Sequence, residues 1–201
     1  MNKPVILIDN GHGAETPGKR SPDGKFREYQ YTREIAERVA YNLRARGYDA
    51  RRIVPETEDV PLSTRAKRVN EICNQVGASN VLLVSIHVNA AGNGAEWMKA
   101  RGWSAYTSKG NTKADDLATC LYDVAEQTFV GHKIRKDYSD GDPDFEENFY
   151  ILQKTKCAAV LTENFFQDNA EDVAYLTSDQ GKANVVWVHV QGIIQYIAKN
   201  E

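Results

Sequence analysis

Val5-Ile6-Leu7-Ile8-Asp9-Asn10-Gly11-His12-Gly13 runs four apolar residues into an acid, a turn pair and a histidine between two glycines. A short apolar run bounded by turn residues is the pattern of a buried parallel strand. It delivers His12 to the carboxyl end of that strand, the edge at which open α/β sheets bind ligands. The flanking glycines predict open space around the ring, enough for a ligand to approach. Val81-Leu82-Leu83-Val84-Ser85-Ile86 repeats the arrangement and delivers His87. Two strands that present histidines at one sheet edge begin a metal site.

Working outward from these strands, residues 14–28 are rich in glycine, proline and charge and read as a loop. Tyr31, Ile35, Val39 and Leu43 then recur at helical spacing up to Gly47. Residues 48–54 read as a strand, and Pro61 opens a helix whose inner face carries Leu62, Ala66, Val69, Cys73 and Val76. After the His87 strand come a small-residue loop from Asn89 to Gly94, a strand over 103–107 and a helix from Ala114 to about Phe129. The acidic segment Asp137–Glu147 reads as a loop. Two strands near Phe149–Leu152 and Ala158–Thr162 close the sheet, and a helix from about Ser178 to Ala198 packs through Val186, Val190, Ile193 and Ile197. Strands alternating with helices predict an α/β sheet covered on both faces.

The 201 residues fit a single domain spanning 1–201. With 41% hydrophobic and 26% charged residues, the chain has enough apolar material for a core. A net charge of −3 gives no electrostatic reason to expect nucleic acid. Arg44, Arg46, Arg51 and Arg52 cluster, and read as a solvated helix end and strand edge. Cys73, Cys120 and Cys157 are odd in number and far apart, so free buried thiols are expected rather than disulfides or a thiolate metal knot. No apolar run is long enough to cross a bilayer, which predicts no membrane insertion. The chain enters its first strand at once, so it is expected to be cytoplasmic as written, although a leader removed by processing would leave the same start.

A catalytic zinc site usually has three protein ligands and one open position. His12 and His87 therefore need a third partner, and the sequence offers His132, His189, Glu15, Glu28 and Glu163. His189 lies in the last helix and reads as a surface or packing residue; His132 sits in a turn and reads as exposed. The glutamates remain. Glu28 precedes the first long helix, whose amino end falls near the first strand edge if the crossover is short. Glu163 ends the apolar run Ala158–Thr162 ahead of Phe165 and Phe166. A carboxylate desolvated there has its pKa raised toward the range of a general base.

These residues resemble the zinc-dependent N-acetylmuramoyl-L-alanine amidases, the peptidoglycan hydrolases of bacteria and phage endolysins. The family's strand followed by Asp-Pro-Gly-His-Gly is matched by Ile8-Asp9-Asn10-Gly11-His12-Gly13, and its Ser-Ile-His-x-Asn-Ala by Ser85-Ile86-His87-Val88-Asn89-Ala90. Glu28 ahead of Ile35-Ala36, the set Leu62, Arg65 and Asn70, and the run Val160-Leu161-Thr162-Glu163-Asn164-Phe165-Phe166 complete five motifs in order. The resemblance implies His12, Glu28 and His87 as Zn2+ ligands and Glu163 as the catalytic acid/base. It implies a three-layer sandwich around a mixed, roughly six-stranded sheet with helices on both faces.

It further implies hydrolysis of the amide between the lactyl group of N-acetylmuramic acid and L-alanine of the stem peptide. The partner is then peptidoglycan or a muropeptide, met by a monomer after release or export. Arg65, Asn89 and Asn164 are the expected substrate contacts, with Arg51–Arg52 as further candidates for stem carboxylates; a loop-bracing role for Arg65 is the competing reading. A carboxypeptidase or deacylase using the same ligands, and a silent wall-binding module, are the alternative functions. The chain departs from the pattern at Asn10, which stands where proline is usual, and at Tyr29-Gln30, which replace Lys-Asp. Selectivity is expected to differ at Glu96–Trp103 and in the 137–147 loop.

Overall fold

A computed structural model describes residues 3–200. Six strands, β1 (Val5–Asn10), β2 (Ala50–Arg52), β3 (Val81–Asn89), β4 (Ser104–Thr107), β5 (Phe145–Glu146) and β6 (Ala158–Phe166), form one sheet in the order β2-β1-β3-β6-β4-β5. β2, β1, β3 and β6 run parallel, whereas β4 is antiparallel to β6 and parallel to β5, so the sheet is mixed.

Alternation along the central strands divides the core. Ile6, Ile8, Leu82, Val84 and Ile86 point to one face and pack with α1 (Glu28–Arg44), α3 (Lys113–Thr128) and α6 (Asp179–Asn200). Leu7, Leu83 and Leu161 point to the other, against α2 (Leu62–Val76) and α4 (Tyr150–Gln153). Each such fully buried aliphatic side chain contributes about 1.5–3 kcal/mol of apolar burial, and strands buried on both faces must be apolar throughout. This is the α/β sheet covered on both faces that the strand pattern predicts, and the three-layer sandwich that the resemblance implies. No helix among the described residues is long and apolar enough to cross a membrane.

Some elements differ from the sequence reading. Phe149–Leu152 is not a strand: Tyr150–Gln153 makes one turn of α4, closed by hydrogen bonds from the Gln153 and Lys154 N–H groups to the Phe149 and Tyr150 carbonyls. Adjacent Ile151 and Leu152 are both buried, as a helical turn on an apolar surface allows and a one-sided strand does not. The edge strand is instead Phe145–Glu146, inside the segment read as loop. Leu62 and Val76 are exposed, so the inner face of α2 is Arg65, Ala66, Val69 and Cys73. A further helix, α5 (Ala170–Thr177), precedes α6; the Asn169 side chain caps it by accepting from the Glu171 and Asp172 N–H groups.

Candidate metal centre and catalytic groove

His12 is the second residue beyond β1 and adopts a positive φ of 61°. Histidine tolerates this left-handed region better than branched residues, but the conformation still has to be held. Arg65 holds it. From α2, its Nε donates to the Val60 carbonyl, Nη1 to Asp9 Oδ1 and the Asn10 carbonyl, and Nη2 to the His12 carbonyl and Asp59 Oδ1. All five guanidinium N–H donors are thereby used. Asp9 is fixed in turn by the Ser85 hydroxyl at 2.6 Å. The two glycines admit protein rather than ligand. A Cβ on Gly11 would lie 2.3 Å from His87 Cε1, and one on Gly13 would lie 2.1 Å from the Asp59 backbone nitrogen. The space expected around His12 is thus taken by the second histidine and by the chain ahead of α2.

Glu28 is the first residue of α1, fully buried, with its N–H donated to the Lys19 carbonyl. That bond closes the 14–27 loop and places the carboxylate between the two imidazoles. Glu28 Oε1 lies 3.5 Å from His12 Nε2 and 3.3 Å from His87 Nδ1, and the two rings meet edge to face at 4.9 Å. Ligands about 2.0–2.1 Å from a tetrahedral ion stand roughly 3.3–3.4 Å apart, so these three atoms fit one small divalent ion. His12, Glu28 and His87 are the group among the described residues whose donor atoms converge in this way.

Outer support comes from residues that the motif comparison does not indicate. Where β1 turns away at Gly11, the Val88 N–H on that edge of β3 has no strand to meet, and it donates to Glu28 Oε1 at 2.9 Å. Gln167 Nε2 donates to Glu28 Oε2 at 3.2 Å. The orientation that Tyr29-Gln30 put in question is therefore supplied from β3 and from the end of β6. Burial opposes ionisation of Glu28, and the hydrogen bond and charge of His87 together with the charge of His12 outweigh it, so its pKa falls below the usual value. Burial holds His12 down to about 4, which keeps the ring neutral and its nitrogen lone pair available to a metal.

Glu163 sits beside His87 in the β3–β6 register. Its Oε2 is buried with no hydrogen-bond partner in the protein. Burial, opposed by the charge of His87 and reinforced by that of Glu28, raises its pKa to about 7. The rise, with burial as its largest cause, matches the sequence expectation. Phe165 packs on Phe129, His132 and Tyr175, and the Phe166 ring faces the Arg135 guanidinium. His12, His87 and Glu163 open into a groove of about 520 Å³ whose apolar side includes Leu62, Phe149 and Tyr150.

The remaining sequence candidates lie elsewhere or have other work. Glu15 accepts the Asp59 N–H at 3.0 Å. His132 is half-buried rather than exposed, with its ring 3.9 Å from that of Tyr175. His189 is buried, its Nδ1 2.7 Å from the Val185 carbonyl and its Nε2 2.9 Å from the Thr162 hydroxyl. Arg65 is the loop brace, with no donor left for substrate. Asn164 is buried; it accepts from Trp103 Nε1 and donates to the His87 carbonyl and Thr162 Oγ1, sealing a bulge where β6 carries an extra residue opposite β3. Asn89 turns its Oδ1 back to the Ala90 N–H at 2.8 Å. Arg51 pairs with Asp49 and Arg52 with Glu37, at the far edge of the sheet. Asn10 is buried with neither side-chain polar atom partnered, and its carbonyl accepts from Arg65.

An α/β sheet that converges two imidazoles and a carboxylate at its strand ends, facing a second and unpartnered carboxylate, defines a hydrolytic domain built around a metal ion. The chain belongs to the N-acetylmuramoyl-L-alanine amidase family, whose sequence profile matches residues 6–195. It is 28% identical over 197 residues to the endolysin of Bacillus phage SPP1, covering 96% of this chain and 66% of that protein. It is 30% identical over 189 residues to the N-acetylmuramoyl-L-alanine amidase CwlM of Bacillus licheniformis, covering 94% and 66%. The chain thus spans about two thirds of the length of these curated relatives. Among solved structures, the N-acetylmuramoyl-L-alanine amidase of Clostridium difficile 630 superposes with a TM-score of 0.80 at 24% identity over all of both chains. The amidase AmiC2 of Nostoc punctiforme gives 0.79 at 25% identity over 98% of each.

Proposed function

We propose that the chain is a zinc-dependent N-acetylmuramoyl-L-alanine amidase, cleaving the amide between the lactyl group of N-acetylmuramic acid and L-alanine of the stem peptide. The observation that carries this reading is the convergence of His12, Glu28 and His87 opposite the free Oε2 of Glu163 in one groove. Two imidazoles, one carboxylate and an open position form the donor set of catalytic zinc. A zinc ion there supplies Lewis acidity, lowering the pKa of a water and polarising the amide carbonyl. Glu163 takes one proton from that water as its oxygen bonds to the carbonyl carbon. Glu163 then gives that proton to the departing alanine nitrogen as the C–N bond breaks, and the second water proton passes from the new carboxyl group to the amine, leaving a lactyl carboxylate and an alanine ammonium group. Every group needed lies in one chain, so a monomer suffices; the wall is reached by release or export.

Digestion of purified peptidoglycan followed by mass spectrometry tests the reading. New amino-terminal alanine, abolished by a chelator and by Glu163→Gln, is the expected result. Released D-amino acids would point instead to a carboxypeptidase. Wall binding without any cleavage, by a chain that carries no zinc after purification, would point to a silent module.

A further inference from the structure

Lys19 is the cation at this groove without a counter-charge. Its side chain is half-buried and lines the same cavity as His12, His87 and Glu163. Among the described residues no carboxylate lies within ion-pair distance of its ammonium, and no hydrogen bond from it forms. The acids nearby are otherwise engaged or stand off. Asp9 pairs with Arg65 at 2.7 Å, Asp59 lies 3.4 Å from Arg65 and accepts from the Thr16 hydroxyl, and Glu163 makes no ion pair. The backbone that carries Lys19 is clamped. Its carbonyl accepts the Glu28 N–H at 3.1 Å, Gly18 before it holds a φ of 72°, and Arg20 after it bridges to Arg27. The ammonium is thus tethered from the same point that seats a metal ligand, and its field reaches both Glu28 and Glu163.

Lys19 lines the groove without a counter-charge, and beside a divalent ion its own charge opposes metal binding, an opposition that an anionic group on the ligand relieves. The far wall, Leu62, Phe149, Tyr150 and Ile151, has no anion to offer. The missing charge has to arrive with the ligand. The scissile amide is neutral, but the second residue of a muramyl stem carries an α-carboxyl group that occurs either free or amidated. We propose that Lys19 is a specificity residue that pairs with the free carboxylate of the second stem residue, selecting acidic over amidated stem peptides. The inference rests on the amidase reading above and deepens it.

The test uses the zinc-loaded full chain and two soluble substrates, N-acetylmuramyl-L-Ala-D-Glu and its D-isoglutamine counterpart. Wild type is expected to favour the acid about tenfold in kcat/KM, chiefly through KM, the scale of one charge-assisted hydrogen bond. K19Q is expected to level the two substrates, K19R to retain the preference, and added salt to erode it in wild type. Equal use of both substrates by wild type, or a preference that survives K19Q, overturns the assignment. If neither substrate yields free alanine amine in any variant, the amidase reading itself fails and the Lys19 assignment falls with it.

Discussion

Gly11 shows how little room the metal centre leaves. Its missing side chain is the reason His87 can stand beside His12, because a methyl group there would overlap the imidazole. Gly11→Ala is therefore expected to keep the fold but weaken zinc at least tenfold, about 1.4 kcal/mol; competition with a chromophoric chelator reads the affinity and circular dichroism the fold. Glu163 sets the pH response. A proton acceptor must be ionised, and burial places its pKa at about 7 in the metal-free protein, so activity falls as pH drops through that region. A facing divalent ion favours the carboxylate, so the acid limb of kcat/KM in the loaded enzyme should lie at or below pH 7. An acid limb above 7 would assign the proton to another group.

At the scale of elements, the 137–147 segment buries an acid, Asp144. Asp144 is buried on the approach to β5, accepting from the Thr107 hydroxyl at 2.6 Å while its Oδ1 has no partner. Burial, with the hydrogen bond and charge of Asp142, pushes its pKa up to about 8. The folded state holds the proton that the unfolded chain releases near pH 4, so the associated stability is complete below that value and lost as pH rises through 8. Asp144→Asn stays neutral and is expected to gain on wild type steadily from pH 4 to pH 8, measured by urea unfolding. No gain would mean that the acid is solvated.

The same scale shows what the sequence discloses. β1, β3 and β6 are legible because strands buried on both faces are written as uninterrupted apolar runs, and His12, His87 and Glu163 are legible because they end or follow those runs. β5 is defined only by its pairing with β4, and two residues carry no period. Phe149–Leu152 is too short for periodicity to separate strand from helical turn. α5 did have a signal, the cap Asn169 followed by Glu171 and Asp172. Glu28 needed the motif comparison because its place depends on how the loop folds back to Lys19. Gln167 and the Val88 N–H escape any pattern, since a bulge and a strand end create their positions.

Across the whole molecule, acid attacks a buried point outside the groove lining. His189 lies on α6, fully buried, and burial lowers its pKa to about 4. Below its unfolded value near 6.5 the unfolded chain takes up a proton that the folded chain refuses, so stability falls as pH drops from 6.5 towards 4. About 2 kcal/mol should be lost between pH 7 and pH 5 from this residue. Comparison of wild type with His189→Gln in denaturant at both pH values isolates it; identical slopes would contradict the assignment. The ring also continues into the site, through Thr162 and Asn164 to the His87 carbonyl, so the rear helix and the metal ligand share one hydrogen-bonded line.

The tripod of His12, Glu28 and His87 draws its members from three separate points along the chain. An ion bound there acts as a reversible staple: it ties the fifteen-residue loop between residues 12 and 28 shut and fastens that loop to a strand far downstream. Removing the ion frees the loop before it unfolds the sheet. Trypsin should then cut first within Lys19–Arg27 in chelated protein and spare that stretch when zinc is restored, so the metal that equips the enzyme for chemistry also decides where it is first degraded.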